Sequence, residues 1–290
     1  MADVVVEAPE LTEFDVKKFA AWYDFRGHTA IVTGGTGVLG GAIACGLAAL
    51  GANVAVLGRN MEAGKSVCAR MGDKARNAEV ISCEVQNPDS VQDAVEKTLK
   101  RFDRIDSLIN AAGGNNPKAT AMPGQPFFDL PPEALRWVFE LNVMGTILPS
   151  QVVAKHMVAQ KSGVILNVSS MAALRPLTRV GAYAASKAAI SNFTQWLAVH
   201  LAQEYSPNIR VNAIAPGFFL TEQNRFLLTE RETGGLTARG KSIMTHTPMA
   251  RFGSPEDLLG AALWLLSPAS AFVTGVVVPV DGGFNAFSGV

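Results

Sequence analysis

Tyr183 and Lys187 stand four residues apart in "YAASK", inside a long segment of helix-forming residues. Residues four apart share one helix face, one turn removed. An ammonium beside a phenol favours the phenolate and lowers its pKa. A tyrosine tuned in that way exchanges a proton with a carbinol near neutral pH. The same spacing arises by chance on a solvated helix, so a surface pair is the bland alternative. Two neighbouring stretches favour chemistry. Ser169 and Ser170 end the apolar run "GVILNVSS", and "NAAGG", residues 110–114, ends the apolar run before it. Ligands of open parallel sheets bind outside such strand ends. Asn142 falls in the middle of the long helical segment between those runs. A buried amide there needs partners, as structural glue or as a relay.

A second stretch, "TGGTGVLGG" at 33–41, lies between an apolar run and a helical one. It holds the literal dinucleotide fingerprint Gly35-x-Gly37-x-x-Gly40 and also the opening of a Thr-Gly-x-x-x-Gly-x-Gly loop, with Val38 where that pattern has glycine. Either way, glycines let the backbone approach a pyrophosphate, and the helix N-terminus offers unpaired N–H groups. The residues expected to cradle it are Thr33, Gly34, Gly35, Thr36, Gly37, Val38 and Leu39. At the end of the next run, "VAVLGRN", no carboxylate awaits a ribose 2′-hydroxyl. Arg59, with Asn60 beside it, suits a 2′-phosphate, so the expectation leans to NADP(H) with NAD(H) as the alternative.

The elements that must position these groups follow from hydrophobic pattern. "HTAIVTG", "NVAVLG", "EVISCEV", "DSLINAAG", "GVILNVSS", "IRVNAIAPG" and "GVVVPVDGG" are continuous apolar runs rather than alternating ones. That is the signature of strands buried on both faces, hence of a parallel sheet. Helical segments separate them, among them "DSVQDAVEKTLKRF", with Asp89 or Ser90 as its cap, and one long helix from Pro131 to Gln160. The fold class expected is α/β: a Rossmann-like, doubly wound parallel sheet of about seven strands, helices on both faces. Residues 1–24 read as a peripheral arm and 25–290 as one dinucleotide-binding and catalytic domain. Residues 218–253 show no clear strand, and so long a segment reads as a substrate loop.

Composition bounds the partners. Among 290 residues, 25 acids balance 25 bases, so no basic field invites nucleic acid or an anionic membrane. The most apolar stretch, 261–280, is broken by Ser267, Pro268, Ser270, Thr274, Gly275 and Pro279, and will not span a bilayer. The acidic start "MADVVVEAPE" is no signal peptide, and a cytoplasmic location is the default. Cys45, Cys68 and Cys83 are widely spaced and read as small buried hydrophobes, and no His/Cys/Asp cluster suggests a metal.

Taken together, Thr33-Gly34 with Gly40, Asn110-Ala111-Ala112-Gly113, Asn142, Ser170, Tyr183 with Lys187, and Pro216-Gly217 with Thr221 resemble the short-chain dehydrogenase/reductase family from about Gly27 onward. The resemblance selects Ser170, thirteen residues before Tyr183, and the Thr-Gly-x-x-x-Gly-x-Gly reading of the loop. It implies Tyr183 as general acid or base, Lys187 as the group lowering its pKa and holding the nicotinamide ribose, and Ser170 on the substrate oxygen. It implies that Asn142 holds a water feeding Lys187, and that Pro216, Gly217 and Thr221 hold the carboxamide. Glu84-Val85 stands where the family has Asp-Val against the adenine, and Asn110, Ala111, Ala112 and Gly113 complete the cofactor wall. It also implies a homo-oligomer, a tetramer or dimer paired through the helices around Asn142 and Tyr183.

For the substrate, "GGNNPKAT" offers Asn115, Asn116 and Lys118, "RPLTRV" offers Arg175 and Arg179, and the long loop offers Gln223, Asn224, Arg225 and His246. Amides suit hydroxyls and cations suit a carboxylate, so a polyhydroxy acid is expected. "PGFFLTEQNRFLL", "HTPMARFG" and "VPVDGGFNAFSGV" resemble the D-mannonate oxidoreductase (fructuronate reductase) branch, with gluconate-type keto-acid or polyol reductases next to it. A cofactor-sensing protein without chemistry and a lyase or epimerase using the nucleotide internally are the other classes. Within the loop, Gly37→Ala is expected to harm cofactor binding more than Gly35→Ala.

Overall fold

The computed structural model describes residues 15–221, 225–230 and 232–289. Seven strands form one all-parallel sheet: β1 (Thr29–Thr33), β2 (Asn53–Gly58), β3 (Ala78–Ser82), β4 (Ser107–Asn110), β5 (Gly163–Val168), β6 (Ile209–Pro216) and β7 (Val277–Val280). Their order is β3-β2-β1-β4-β5-β6-β7. The winding across the sheet therefore reverses between β1 and β4, which run parallel with Thr33 beside Asn110. A crevice opens at such a switch point, outside the carboxyl ends of the strands.

The helices are α1 (Val16–Ala21), α2 (Val38–Ala49), α3 (Met61–Ala69), α4 (Pro88–Phe102), α5 (Pro132–Phe139), α6 (Gly145–Gln160), α7 (Gly181–Glu204), α8 (Arg225–Leu228), α9 (Ala238–Thr245) and α10 (Leu259–Leu266). They bury both faces of the sheet. One apolar cluster joins Ile43 and Leu47 of α2 and Leu265 of α10 to Val32 and Val56. The other joins Val95 of α4, Met157 of α6 and Leu201 of α7 to Ile31 and Leu108. Each such fully buried aliphatic side chain is worth about 1.5–3 kcal/mol. Among the described residues no helix is long and apolar enough to cross a membrane.

Three local expectations change. The cap of α4 is Asn87, whose side-chain Oδ1 accepts from the N–H groups of Asp89 and Ser90, with Pro88 occupying the first turn where an N–H is dispensable. Ser90 instead accepts from Glu84 N–H. The long helix from Pro131 is not regular: a π-turn, Glu140–Met144, separates α5 from α6 and carries Asn142. The 218–253 segment contains α8 and α9. It closes on itself through hydrogen bonds from Gly253 N–H to the Phe218 carbonyl (2.9 Å) and from Leu220 N–H to the Gly253 carbonyl (3.2 Å). The arm begins with residues 1–14, outside the described set. Its remainder holds α1, which buries nothing, and the chain is anchored from Phe25, fully buried.

Candidate active site

The turn after β1 is shaped by contacts within the protein. Gly34 is left-handed (φ +61°), and a Cβ there would stand 2.6 Å from Ala112 N. At Gly35 a Cβ would meet the Val32 carbonyl at 2.8 Å, and at Gly40 the Gly34 carbonyl at 2.5 Å. Gly37 differs. It is the N-cap of α2, in extended backbone, and a Cβ would meet only the Gly34 carbonyl, at 3.2 Å. Packing under Val32 therefore demands a glycine at position 35. Gly37 is the one of these four glycines that the turn itself scarcely requires, which leaves its open face to whatever lies against the helix mouth. Val38, the first helical residue, is exposed there.

A cleft of about 590 Å³ opens at the switch point. Its walls include Gly34, Thr36, Gly37, Val38, Leu39, Arg59, Glu84, Val85, Ala111, Ala112 and Gly113 on one side, and Ser170, Tyr183, Lys187, Pro216, Gly217 and Thr221 on the other. The sequence reading missed Gly58, Cys83, Leu141, Val168 and Phe219 in the same walls. Of these only Gly58 carried a local signal, as the glycine ending β2. A Cβ on Gly58 would strike the Thr36 side chain, so Thr36 fills the corner where a longer residue would otherwise sit. Arg59, largely exposed, lies 3.5 Å from Glu84.

Three predicted residues serve the frame rather than the cleft. Thr33 is buried, and its hydroxyl accepts from Ala112 N–H (3.3 Å), tying β1 to the end of β4. Asn110 is buried and donates to Ser150 Oγ (3.0 Å) and Asn167 Oδ1 (2.9 Å), stitching β4 to α6 and β5. Asn60 caps α3 by accepting from Ala63 N–H. Each was expected on the cofactor wall, but a side chain at a strand end can point to either layer, and these satisfy buried or capping groups first.

The chemical group converges from two elements. β5 delivers Ser169 and Ser170, and α7 delivers Tyr183 and Lys187, one turn apart. Ser169 is consumed structurally: its hydroxyl donates to the Lys187 carbonyl (3.1 Å) and pairs with Ser191 (2.8 Å). Ser170, whose hydroxyl accepts from Ala172 N–H (3.1 Å), is the serine that acts on the Tyr183 phenol. Lys187 is buried; its ammonium donates to the Val168 carbonyl (2.8 Å) and lies 5.7 Å from the centroid of the tyrosine ring. Burial pulls its pKa from 10.5 to about 8. Burial also pushes the Tyr183 phenol up, while the Ser170 hydroxyl pulls it down. The sequence reading assigned that downward pull to Lys187. In the structure it comes from Ser170, because the ammonium is turned to the strand carbonyl beneath the ring.

Asn142 is fully buried and doubly paired with one backbone position: it donates to the Gly114 carbonyl (2.7 Å) and accepts from Gly114 N–H (3.1 Å). Its second amide hydrogen goes to the Val138 carbonyl (2.8 Å), which the π-turn leaves to be served by a side chain. A Cβ on Gly113 would meet Asn142 Oδ1 at 2.7 Å and Lys187 Nζ at 3.1 Å. The amide is thus glue: the π-turn locks the loop after β4 against the lysine.

The expected substrate groups scatter. Asn115 donates to Thr120, and Asn116 accepts from Lys118 N–H, so both amides build their own turn. Lys118 is exposed beside them. Arg175 donates to the Asn285 carbonyl (3.2 Å), stapling the C-terminal segment. His246 ends α9, with Nδ1 against the Ser242 carbonyl (2.7 Å). Gln223 and Asn224 lie outside the described residues, and Arg225 opens α8, exposed. Arg179 is exposed and left-handed at φ +75°, and its positive charge helps to lower the pKa of Arg239, half-buried in α9, which the sequence reading did not single out. Sixty residues separate the two, and no local pattern joins them.

Comparisons with known proteins agree with this geometry. The model of a family described as enoyl-(acyl carrier protein) reductase matches residues 36–285. The uncharacterised oxidoreductase UxuB of Bacillus subtilis (strain 168) is 47% identical over 276 residues, covering 92% of this chain and 98% of its own length. Among solved structures, a candidate D-mannonate oxidoreductase from Haemophilus influenzae with bound NAD superposes with a TM-score of 0.87 at 44% identity, covering 94% of this chain and 100% of that one. A gluconate 5-dehydrogenase from Burkholderia cenocepacia J2315, in complex with NADP and tartrate, gives 0.80 at 31% identity, over 92% of this chain and 99% of that one.

Proposed function

The chain belongs to the short-chain dehydrogenase/reductase family, and from that premise we propose that it is an NAD(P)-dependent oxidoreductase of a hydroxylated sugar acid, with D-fructuronate and D-mannonate as its keto and hydroxy forms. The observation that carries the reading is the hydroxyl pair of Ser170 and Tyr183, backed by buried Lys187, in the wall of a cleft at the sheet's switch point. A bound nicotinamide supplies the hydride for reduction and takes it back in oxidation. The cradle fits such a cofactor: unpaired N–H groups open α2, Gly37 leaves its face clear, and Gly113 has no room for a side chain beside Asn142 and Lys187.

In this reading Gly34, Thr36, Gly37, Val38 and Leu39 hold the pyrophosphate, and Glu84, Val85 and Arg59 the adenosine end. Ala111, Ala112, Gly113, Pro216, Gly217 and Thr221 hold the nicotinamide end. Ser170 fixes the reacting oxygen, and Tyr183 delivers its proton to that oxygen in reduction and withdraws it in oxidation. Lys187, whose pKa of about 8 lies near a working pH, passes a proton on to Tyr183 through its neutral and charged forms. Asn142 keeps the loop after β4 in place against it.

The substrate class rests on the relatives together with the cations flanking Tyr183. The Burkholderia relative favours a second reading, reduction of a gluconate-type keto acid. The glycine ending β2 and Arg59 beyond it favour NADP(H). The Haemophilus structure with NAD favours the alternative. Self-association is assigned to the exposed apolar side chains of α7, Trp196 and Val199, with Phe139 and Met144. The test is a panel of keto and hydroxy sugar acids with NADH and NADPH, followed at the nicotinamide absorbance. Turnover of fructuronate above gluconate-type acids is expected; no turnover of any sugar acid overturns the reading.

A further inference from the structure

The contact between β5 and α7 changes character toward the cleft. Side chains two apart on a strand share a face, so Ile165, Asn167 and Ser169 form one row. Ile165 belongs to the apolar cluster that holds Leu197 and Leu201 of α7. Asn167, fully buried, donates from Nδ2 to Thr194 Oγ1 (2.9 Å). Ser169, the residue after β5, keeps to the sheet, its N–H donating to the Ile214 carbonyl (2.8 Å). Its buried hydroxyl lies 3.1 Å from the Lys187 carbonyl and 2.8 Å from Ser191 Oγ. Ser191 Oγ stands 3.2 Å from the same carbonyl. Lys187, Ser191 and Thr194, spaced at four and three, make one stripe of α7.

Consecutive residues of the strand end therefore grip Lys187 twice. The Val168 carbonyl takes its ammonium (2.8 Å), and the Ser169 hydroxyl takes its main-chain carbonyl. A lysine side chain is a flexible stem, so a hold on Nζ alone leaves the helix free to shift beneath it. Stability by itself does not ask for hydroxyls here. Apolar residues like Ile165 would bury the same contact without desolvating polar groups. Apolar contact is non-directional, however, whereas a satisfied polar network selects one arrangement. The polar part of the row lies at the end of the contact where Ser169, Tyr183 and Lys187 all line the cleft.

We propose that Ser169 is a positioning residue for proton transfer: its hydroxyl ties the main chain of Lys187 to the end of β5 and so fixes where the ammonium lies beneath Tyr183. The inference rests on the oxidoreductase reading given above. Ser169 touches neither the reacting oxygen nor the proton and acts through Lys187, whose Nζ stands 5.7 Å from the centroid of the Tyr183 ring. Ser191 completes the triangle from within α7, and Asn167 with Thr194 repeats the tie one step deeper.

The test compares the wild type with Ser169→Ala, Ser191→Ala and the double variant. In Ser169→Ala the Ser191 hydroxyl still serves the Lys187 carbonyl, so no buried acceptor is orphaned and the fold should persist. Without substrate or cofactor, the protein is acetylated with N-hydroxysuccinimidyl acetate, and the rate at each lysine is read by peptide mass spectrometry. Lys187 should react about fivefold faster in Ser169→Ala, the factor set by one lost hydrogen bond, with the other lysines unchanged. With fructuronate and the preferred nicotinamide cofactor, kcat should fall by about 5- to 20-fold while KM for fructuronate stays within about twofold of wild type. Ser191→Ala, which keeps the bond from Ser169, should lose less, and the double variant should be no worse than Ser169→Ala. An unchanged Lys187 rate or an unchanged kcat in Ser169→Ala refutes the proposal, and so does a loss carried by KM alone. Faster labelling of every lysine with a lowered melting temperature assigns Ser169 to the stability of the fold and also overturns it. A wild type inactive on every sugar acid refutes the reading beneath, and the labelling then still decides whether Ser169 holds the lysine.

Discussion

Replacing Lys187 should change how stability depends on pH, within a window the structure defines. Its ammonium is buried and donates to one strand carbonyl, Val168, and among the described residues no carboxylate pairs with it to offset the lost hydration. Burial alone lowers its pKa from 10.5 to about 8. Below about pH 8 the lysine is protonated whether the chain is folded or not, and the fold carries the cost of a buried cation. Between about 8 and 10.5 the unfolded chain binds a proton that the folded chain has released, so stability rises with pH. Above 10.5 both states are neutral and the gain is complete. Each pH unit is worth about 1.4 kcal/mol, so the window amounts to about 3 kcal/mol. Tyr183 titrates with the opposite sign: its raised pKa keeps the folded chain protonated longer, so stability falls as pH rises beyond the ordinary tyrosine value. The comparison is therefore made in the Tyr183→Phe background, with and without Lys187→Met, by urea unfolding from pH 7 to 11. The Val168 carbonyl loses its donor in the methionine variant at every pH, so that loss cancels from the slope. Any stability advantage of the methionine at pH 7 should shrink by about 3 kcal/mol by pH 10.5. A difference that stays flat across that range refutes the claim that Lys187 is desolvated to a pKa near working pH.

Other expectations follow from the same geometry. Tyr183→Phe should lower kcat by about 10²- to 10⁴-fold, while NADPH binding followed by fluorescence stays within a few-fold of wild type; retained turnover would sink the proton-transfer role. Gly40→Ala and Gly35→Ala should each cost about 1–3 kcal/mol in chemical denaturation, because their new methyl groups meet backbone carbonyls. Gly37→Ala should leave stability nearly intact and weaken cofactor binding, and a reversed pattern would mean that the phosphate lies against another glycine. Glu84→Gln should free Arg59 and tighten NADPH over NADH by about two- to fivefold in calorimetric titration, the scale of an exposed ion pair, with Arg59→Ala shifting the ratio the other way. Arg175→Ala should leave KM for sugar acids unchanged and cost about 1 kcal/mol of stability, through its bond to Asn285.

The chain by itself determined what depends on local periodicity. Unbroken apolar runs are buried on both sides, so the parallel sheet and its helical layers were readable before any coordinate. Spacing of four on a helix placed Tyr183 beside Lys187, and a strand end placed Ser170 near them. Tertiary structure decided what depends on residues distant in sequence. It tied Ser169 to Ser191 and to the Lys187 carbonyl, partners that no local pattern pointed to. It turned the Lys187 ammonium to Val168, and it drew Asn110, Thr33 and Asn60 into the frame. It closed Asn115 and Asn116 into their own turn and gave Arg175 the distant Asn285 carbonyl as its partner. Helix and strand periods are properties of a dozen residues, whereas the neighbour of an arginine is set by how remote loops close around a finished sheet.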